Sequence, residues 1–265
     1  MNIVDFHNHL MPDVDDGSQS LEQSCTALNA MRSDGVSTII TTPHFTGSWT
    51  TDPQLREEQL GKLDRAWASL TDHVREHHTD LRIERGVEIN LDTPEPDLSD
   101  DRLRLAGGPF ALFEFPFFSV PPRSGEAIAA LREQGCFPII AHPERYSGFA
   151  ADYSHAYEWR RRGGYLQVNG GSLLGRYGQD ARTFARGLLE RGWADFLCSD
   201  YHARGPTLIA DYRQLLVELD ALEHAQLLTE VNPARVLTGQ PPLPVPGLRL
   251  RPKLWDRVSG IFRTR

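Results

Sequence analysis

The chain has 265 residues with 28 basic and 36 acidic side chains, a formal net charge of −8. That balance excludes nucleic acid as the main partner, because such binders carry a basic face whose cations replace counterions on phosphates. A hydrophobic content of 40% with 24% charged residues fits an ordinary water-soluble protein, and no apolar run approaches the length of a spanning helix.

The amino terminus, MNIVDFHNH, has no basic stretch leading into an apolar one, and Cys25, Cys136 and Cys198 form no close pair. Both features point to a reduced, cytoplasmic setting. Strand-like apolar runs then recur along the chain: Ile3 to Phe6, Val36 to Thr42, Leu81 to Ile89, Phe110 to Phe115, Phe137 to Ala141, Tyr165 to Val168 and Ala194 to Cys198. Between them the spacing predicts helices near residues 20–33, 54–77, 124–134, 151–162 and 180–191, while an acidic segment, LDTPEPDLSDD, joins the third and fourth runs. Seven apolar runs separated by helices predict parallel βα units closed into a barrel. Gly35, Gly135 and Gly192 stand between a helix and the next strand, where left-handed caps are expected.

Further helices are predicted near 206–219 and 221–229, followed by a helix start at Asn232-Pro233. Prolines 241, 242, 244 and 246 then stiffen a short linker after a domain covering residues 1–240. From Leu248 to Arg265 six basic residues meet one acidic, with Leu254, Val258 and Ile261 at helical spacing beside Trp255 and Phe262. Such a basic amphipathic tail, spanning the rest of residues 241–265, suits an anionic membrane surface, an acidic partner or simple packing on the barrel.

The residue types that carry chemistry sit at strand ends. DFHNHLMPDVDDGS places His7 and His9 on one side of an extended chain, followed by a carboxylate-rich turn that includes Asp16. TTPHF supplies His44, GVEIN supplies Glu88, and FALFEFPFF sets Glu114 among phenylalanines, where a cation gives a carboxylate reason to be buried. AHPERY gives His142 and Arg145, and CSDYHARG gives Asp200, His202 and Arg204. In a parallel barrel the carboxyl ends of the strands meet at one mouth. His7, His9, Asp16, His44, Glu88, Glu114, His142, Asp200 and His202 are more donors than one ion accepts, so several metals are expected. Cys198 and Arg204 have the spacing of a cysteine-dependent phosphatase loop, but SDYHA between them lacks its glycines, so a buried structural thiol is expected. His73, His77, His78, His155 and His224 are expected at the surface, and GRYG near residue 175 matches no nucleotide loop. Asn169 and Ser172 of the neighbouring NGGS either line the mouth or form a structural turn.

The ordered motifs DxHxH, DVDDG, TPH, GxEI, EFP, HPERY, VNxxS and SDxH resemble the polymerase and histidinol phosphatase (PHP) superfamily over roughly residues 1–240. More narrowly, the chain is similar to the manganese-dependent protein tyrosine phosphatases of bacterial capsule and exopolysaccharide operons. The resemblance implies a distorted (β/α)7 TIM-like barrel holding three divalent ions, Mn²⁺ by family and Fe²⁺ or Zn²⁺ by ligand chemistry. Carried over by position, His7, His9, Glu88 and Asp200 hold one ion, Glu88, Glu114 and His142 a second, and Asp16, His44 and His202 a third. It implies hydrolysis of phosphotyrosine on a membrane-anchored kinase by metal-bound hydroxide without a covalent intermediate. Arg145 is the expected phosphate fork, Asp16 and Arg204 further catalytic candidates, although the family's second arginine stands a few residues beyond the place of Arg204. The enzyme-class alternative is a phosphatase of small esters such as histidinol phosphate; the non-enzyme alternative is a metal-stabilised binding module. Assembly as a homo-oligomer and contact with the inner face of the membrane are left open.

Overall fold

A computed structural model of the chain describes residues 2–146 and 152–249, apart from the side chain of Phe117. The strands are β1 (Ile3–Asp5), β2 (Val36–Thr41), β3 (His44–Thr46), β4 (Arg82–Arg85), β5 (Glu88–Asn90), β6 (Phe110–Glu114), β7 (Phe137–Ala141), β8 (Tyr165–Asn169) and β9 (Phe196–Cys198). All pair in parallel, in the orders β1-β2-β4 and β3-β5-β6-β7-β8-β9. The sequence reading treats Val36–Thr42 and Leu81–Ile89 as single strands; each position is instead broken in two. Pro43, which has no N–H for the ladder, interrupts β2 before β3. At Gly86 a Cβ would come within 2.9 Å of Leu105 Cδ2, so the close approach of that side chain demands glycine between β4 and β5.

The broken strands are continuous in hydrogen bonding. Gly86 N donates to Thr41 O (3.0 Å) and Glu88 N to Pro43 O (2.9 Å), which merges the two sheets. At the other seam Asp200 N donates to His7 O (2.8 Å) and His9 N to Tyr201 O (2.9 Å), around a parallel bridge between Asn8 and Tyr201. Seven strand positions therefore form a distorted (β/α)7 barrel, with β2/β3 and β4/β5 each filling one position.

Helices cover the outside: α1 (Leu21–Ser33), α2 (Pro53–His77), α3 (Ser124–Glu133), α4 (Ser154–Arg161), α5 (Gly170–Leu173), α6 (Gly178–Glu190), α7 (Ile209–Glu218), α8 (Leu222–Gln226) and α9 (Asn232–Val236). The predicted helices fall on these within a few residues; the four-residue α5 was not predicted. Local chemistry sets their ends. Asp52 caps α2 by accepting from Gln54 N and Leu55 N, with Pro53 at the first position, and Leu60, Leu63, Ala66, Leu70 and Val74 form its buried stripe. Gly35, Gly135 and Gly192 adopt positive φ as expected.

Alternation along the strands creates two apolar layers. Phe6, Ile40, Phe110, Leu112, Ile139, Phe196 and Cys198 face one cluster, which Leu105 and Val236 join, and Ile39, Ala111, Phe113, Ile140, Leu166 and Leu197 face the layer shared with the helices. The proline stretch after α9 has no regular secondary structure and lies on the body. Val245 and Leu248 are buried, Leu248 N donates to Leu189 O (2.9 Å), and His224 Nε2 lies 3.0 Å from Pro246 O. His224 and His78 are thus buried, against the expectation of surface positions. The amphipathic pattern of Leu254 to Phe262 lies outside the described residues. No helix among the described residues is long and apolar enough to cross a membrane.

Candidate metal centre

The nine ligand candidates come together at the carboxyl ends of the strands. Glu88, fully buried at the start of β5, is the centre. His7 Nε2 and His142 Nε2 lie 3.1 and 3.0 Å from its Oε1, and His44 Nδ1 and His9 Nε2 lie 3.1 and 3.5 Å from its Oε2. Asp200 Oδ1 is 3.3 Å from His7 Nε2 and 3.5 Å from His9 Nε2. Glu114 is 3.4 Å from His44 and 3.9 Å from His142. Asp16 Oδ1 lies 3.5 Å from His44 Nε2 and 3.4 Å from His202 Nε2, and its side chain is 65% exposed at the rim.

Register explains part of this convergence. His44 is the ladder partner of Glu88, and Asn90 that of Glu114, so the broken strands set these side chains one strand spacing apart. Asn90 Nδ2 donates to Glu114 Oε1 (3.2 Å). Two of the residues, His142 (φ 33°) and Asp200 (φ 51°), hold left-handed backbone, a strain of about 1–3 kcal/mol each that the surrounding contacts sustain.

The outer contacts fix the tautomers. A carboxylate and an amide oxygen can only accept, so His9 Nδ1 donates to Asp15 Oδ2 (2.7 Å) and His7 Nδ1 to Gln167 Oε1 (2.7 Å). His202 Nδ1 donates to Asp200 O (3.0 Å). All three rings therefore turn Nε2 inward, the arrangement of metal-binding histidines with oriented outer partners. Asp15 also accepts from His44 N (3.0 Å) and Gly17 N (2.9 Å), which makes the DVDDG turn a clamp on two histidines. Gly17 is obligatory there, since a Cβ would sit 2.3 Å from both Cβ and O of His9.

Charge is concentrated to match. Burial works against the Glu88 carboxylate, but His7, His142 and His44 hold it well below the usual carboxylate range. Burial likewise opposes ionisation of Asp200, yet His7 and His9 keep it low. His44 resists burial through Asp16, Glu114 and Glu88 and is pushed well up.

Divalent cations fit this arrangement. Among the described residues His7 Nε2, His9 Nε2, His44 Nδ1 and Glu88 Oε2 are buried without a directed hydrogen bond. Donors about 2.1 Å from a shared ion stand about 3.0–3.4 Å apart at octahedral and tetrahedral angles, the separations seen around Glu88. Four sets of donor atoms lie within 4.8 Å of one another: His9, Asp16, His44 and His202; His7, Glu88 and His142; His7, His9 and Asp200; and His44, Glu88 and Glu114. They overlap through the same residues but number four against the three expected; Glu88 groups with His7 and His142 and with His44 and Glu114, His7 and His9 group with Asp200 alone, and His9 joins Asp16, His44 and His202.

Arg145 stands beside the cluster on the turn after β7. Its Nη1 donates to Asp200 Oδ2 (2.5 Å), and its Cζ lies 4.7 Å above the Phe118 ring and 4.3 Å above the Tyr177 ring. Asn169 Nδ2 donates to Asp200 Oδ2 (3.1 Å) and to Tyr177 Oη (3.3 Å), so Asn169 belongs to the mouth. Ser172 is structural: with Asn169 N it donates to Glu144 Oε1, deep under the turn. Arg204 is exposed on the loop after β9 and lines the same cleft, of about 240 Å³, as Asp16, Arg145 and Tyr177. Cys198 is fully buried and burial pushes its thiol well up, which suits a structural thiol and not a nucleophile. Sequence reasoning missed Asp15, Gln167, Phe118, Arg176 and Tyr177. Only the DVDDG turn and the GRYG turn signalled any of these.

Comparisons with known proteins identify the family. The profile of the capsular polysaccharide synthesis family CpsB/CapC matches residues 3–238. The tyrosine-protein phosphatase YwqE of Bacillus subtilis is 30% identical over 203 residues, covering 76% of this chain and 77% of that protein. The tyrosine-protein phosphatase CpsB of Streptococcus pneumoniae is 27% identical over 255 residues, covering 90% of this chain and 99% of that one. A crystal structure from work on these two proteins, described as unique metal-dependent tyrosine phosphatases, superposes with a TM-score of 0.71 at 28% identity, over 92% of this chain and 100% of that one. Histidinol phosphate phosphatase of Lactococcus lactis shares the fold, with a TM-score of 0.51 at 15% identity, over 84% of this chain and 94% of that one. With its profile match running from β1 to the end of α9, the chain belongs to the CpsB/CapC family of capsular polysaccharide synthesis proteins.

Proposed function

We propose that this chain is a metal-dependent protein tyrosine phosphatase acting in the cytoplasm on a tyrosine kinase of polysaccharide assembly. The observation that carries the reading is a buried carboxylate, Glu88, ringed by four imidazoles and opening beside the guanidinium of Arg145. In this reading three divalent ions, Mn²⁺ foremost, are held by the nine residues in the sets that the resemblance implies. Residues 1–240 are the catalytic domain and 241–265 an appended segment. When bound, such ions supply Lewis acidity to phosphoryl oxygens and lower the pKa of coordinated water.

The protein's own groups do the positioning. Arg145 rests over the Phe118 and Tyr177 rings, with N–H donors beyond the one given to Asp200, and its fork offers two parallel bonds to a phosphate. Asp16 closes the rim between His44 and His202, and Arg204 extends over the same cleft. The departing phenol, with a pKa of about 10, demands less proton assistance than an alkoxide.

The test compares kcat/KM for a phosphotyrosine peptide and for histidinol phosphate with added Mn²⁺. Preference for the peptide supports the reading, and preference for histidinol phosphate replaces it with a small-ester phosphatase. Turnover of para-nitrophenyl phosphate that vanishes with chelator and in His9→Ala excludes a non-catalytic binding module.

A further inference from the structure

The chain is acidic overall, and its arginines are mostly spoken for. Arg56 pairs with Asp97, Arg102 with Glu57, Asp64 and Asp100, Arg160 with Asp195, and Arg186 with Glu190. Arg176 and Arg204 are among those without a carboxylate partner, and they stand at the candidate site. Both are exposed, both line the cleft of the metal centre, and among the described residues neither meets a carboxylate within ion-pair distance. They arrive from different loops, one after α5 and one after β9.

Arg176 is also held in place. It is the second residue of the GRYG turn, whose outer glycines have φ of 86° and 93°, backbone that side chains other than glycine rarely adopt. Its N–H donates to Gly171 O (3.0 Å), and its stem runs so close to Gly171 that a Cβ there would be 3.3 Å from Arg176 Cδ. The next residue, Tyr177, is the one stacked on Arg145. The turn thus fixes an unpaired cation one residue away from the wall of the phosphate fork.

We propose that Arg176, with Arg204 across the cleft, reads acidic residues flanking the phosphotyrosine, so that the rim selects an acidic peptide. This rests on the phosphatase reading above. Arg145 is the deeper group and takes the scissile phosphate; the two exposed arginines are left for anions outside it, which on a peptide are Asp and Glu side chains beside the modified tyrosine. Exposed pairs of this kind change affinity modestly and respond to salt.

The experiment measures kcat/KM of the Mn²⁺-loaded full chain on two phosphotyrosine peptides that differ only in having acidic or neutral flanks. The expected ratio is about three- to tenfold in favour of the acidic peptide at low salt, carried by KM and collapsing toward one at about 0.5 M NaCl. Arg176→Ala lowers the ratio and Arg176→Glu lowers it further, while Arg176→Lys retains most of it. A wild-type ratio of one, or a ratio unchanged in both Arg176→Ala and Arg176→Glu, overturns the inference and leaves the phosphatase reading intact. Failure of wild type to turn over either peptide overturns that reading and the inference with it.

Discussion

Glu88→Gln is the substitution that separates a metal centre from a merely hydrogen-bonded cluster. Glutamine keeps the shape of the side chain but removes the charge and turns one oxygen into a donor, facing imidazoles that already lack directed partners. Glu88 belongs to two of the four donor sets, whereas Asp16 belongs to one. A site filled at 100 times its dissociation constant stabilises the fold by about 2.7 kcal/mol. In a domain of this size each kcal/mol moves Tm by about 2–4 °C. Saturating Mn²⁺ should therefore raise the Tm of chelator-treated wild type by about 5–11 °C per site at that occupancy. Glu88→Gln should forfeit two sites' worth, about 11–22 °C, and Asp16→Ala only one. Differential scanning fluorimetry with a Mn²⁺ titration reads this directly. A Glu88→Gln protein that melts like wild type without metal and shows the full wild-type shift with it would refute the bridging role and the metal reading of the cluster.

Three further predictions follow from the same contacts. Arg145→Lys keeps the charge but loses the planar fork and its contact with the Phe118 and Tyr177 rings, so kcat/KM on a phosphotyrosine peptide should fall about 10–100-fold, the worth of a charge-assisted hydrogen bond; a change under threefold would exclude Arg145 as the phosphate fork. Gly17→Ala forces a methyl against His9, releasing Asp15 from its two histidines, and should cost about 1–3 kcal/mol in urea unfolding while weakening the Mn²⁺ shift; unchanged metal response would show that the turn is no clamp. Asp195, buried below the barrel mouth, is pushed up to about 6 by burial, with Arg160 pulling the other way. A carboxyl whose pKa is higher folded than unfolded contributes stability that is present below about 4 and is lost as pH rises through about 6. Asp195→Asn should gain about 2–3 kcal/mol relative to wild type between pH 4 and pH 7; a pH-independent difference would refute that shift.

Much of this was legible in the sequence because the residue types are expensive anywhere else. A carboxylate inside FALFEFPFF or behind GVEIN has no apolar reason to be there, and both Glu114 and Glu88 face the cluster. The βα alternation and the capping residues likewise gave nearly every helix. What escaped was set by contacts between distant segments. The breaks at Pro43 and Gly86 divide single apolar runs into strands of different sheets, and periodicity alone cannot see a break inside a run. Asp15 and Asp16 are neighbours of the same type, yet one orients His9 from outside and the other faces His44 and His202. Gln167, inside an apolar strand, gains its role only from His7, 160 positions away. His78 and His224 read as surface residues because nothing in their local pattern announces the segments that cover them.

Strand alternation, which the two breaks leave undisturbed, explains how a barrel of seven strand positions carries so many charged groups at its mouth. Ile40 and Leu112 face the inner apolar layer with Phe6, and the same in-and-out alternation, carried to the rim, brings His44 and Glu114 to that face. Across Pro43 and Gly86 the register is unchanged, Thr41 opposite Arg85 and His44 opposite Glu88, so His44 and Glu88 turn to the centre directly above that layer. Neighbouring strands stand about 4.8 Å apart, so partners in register place donor atoms from two strands within reach of one cation without any long loop. The remaining donors come from strand ends, where the backbone is already leaving the sheet: His7 and His9 after β1, His142 after β7, Asp200 and His202 after β9. Left-handed backbone at His142 and Asp200 is the local cost of turning those side chains back over the barrel. The barrel beneath, closed on both seams by backbone hydrogen bonds, holds that strain in place and keeps nine donors converged on one mouth.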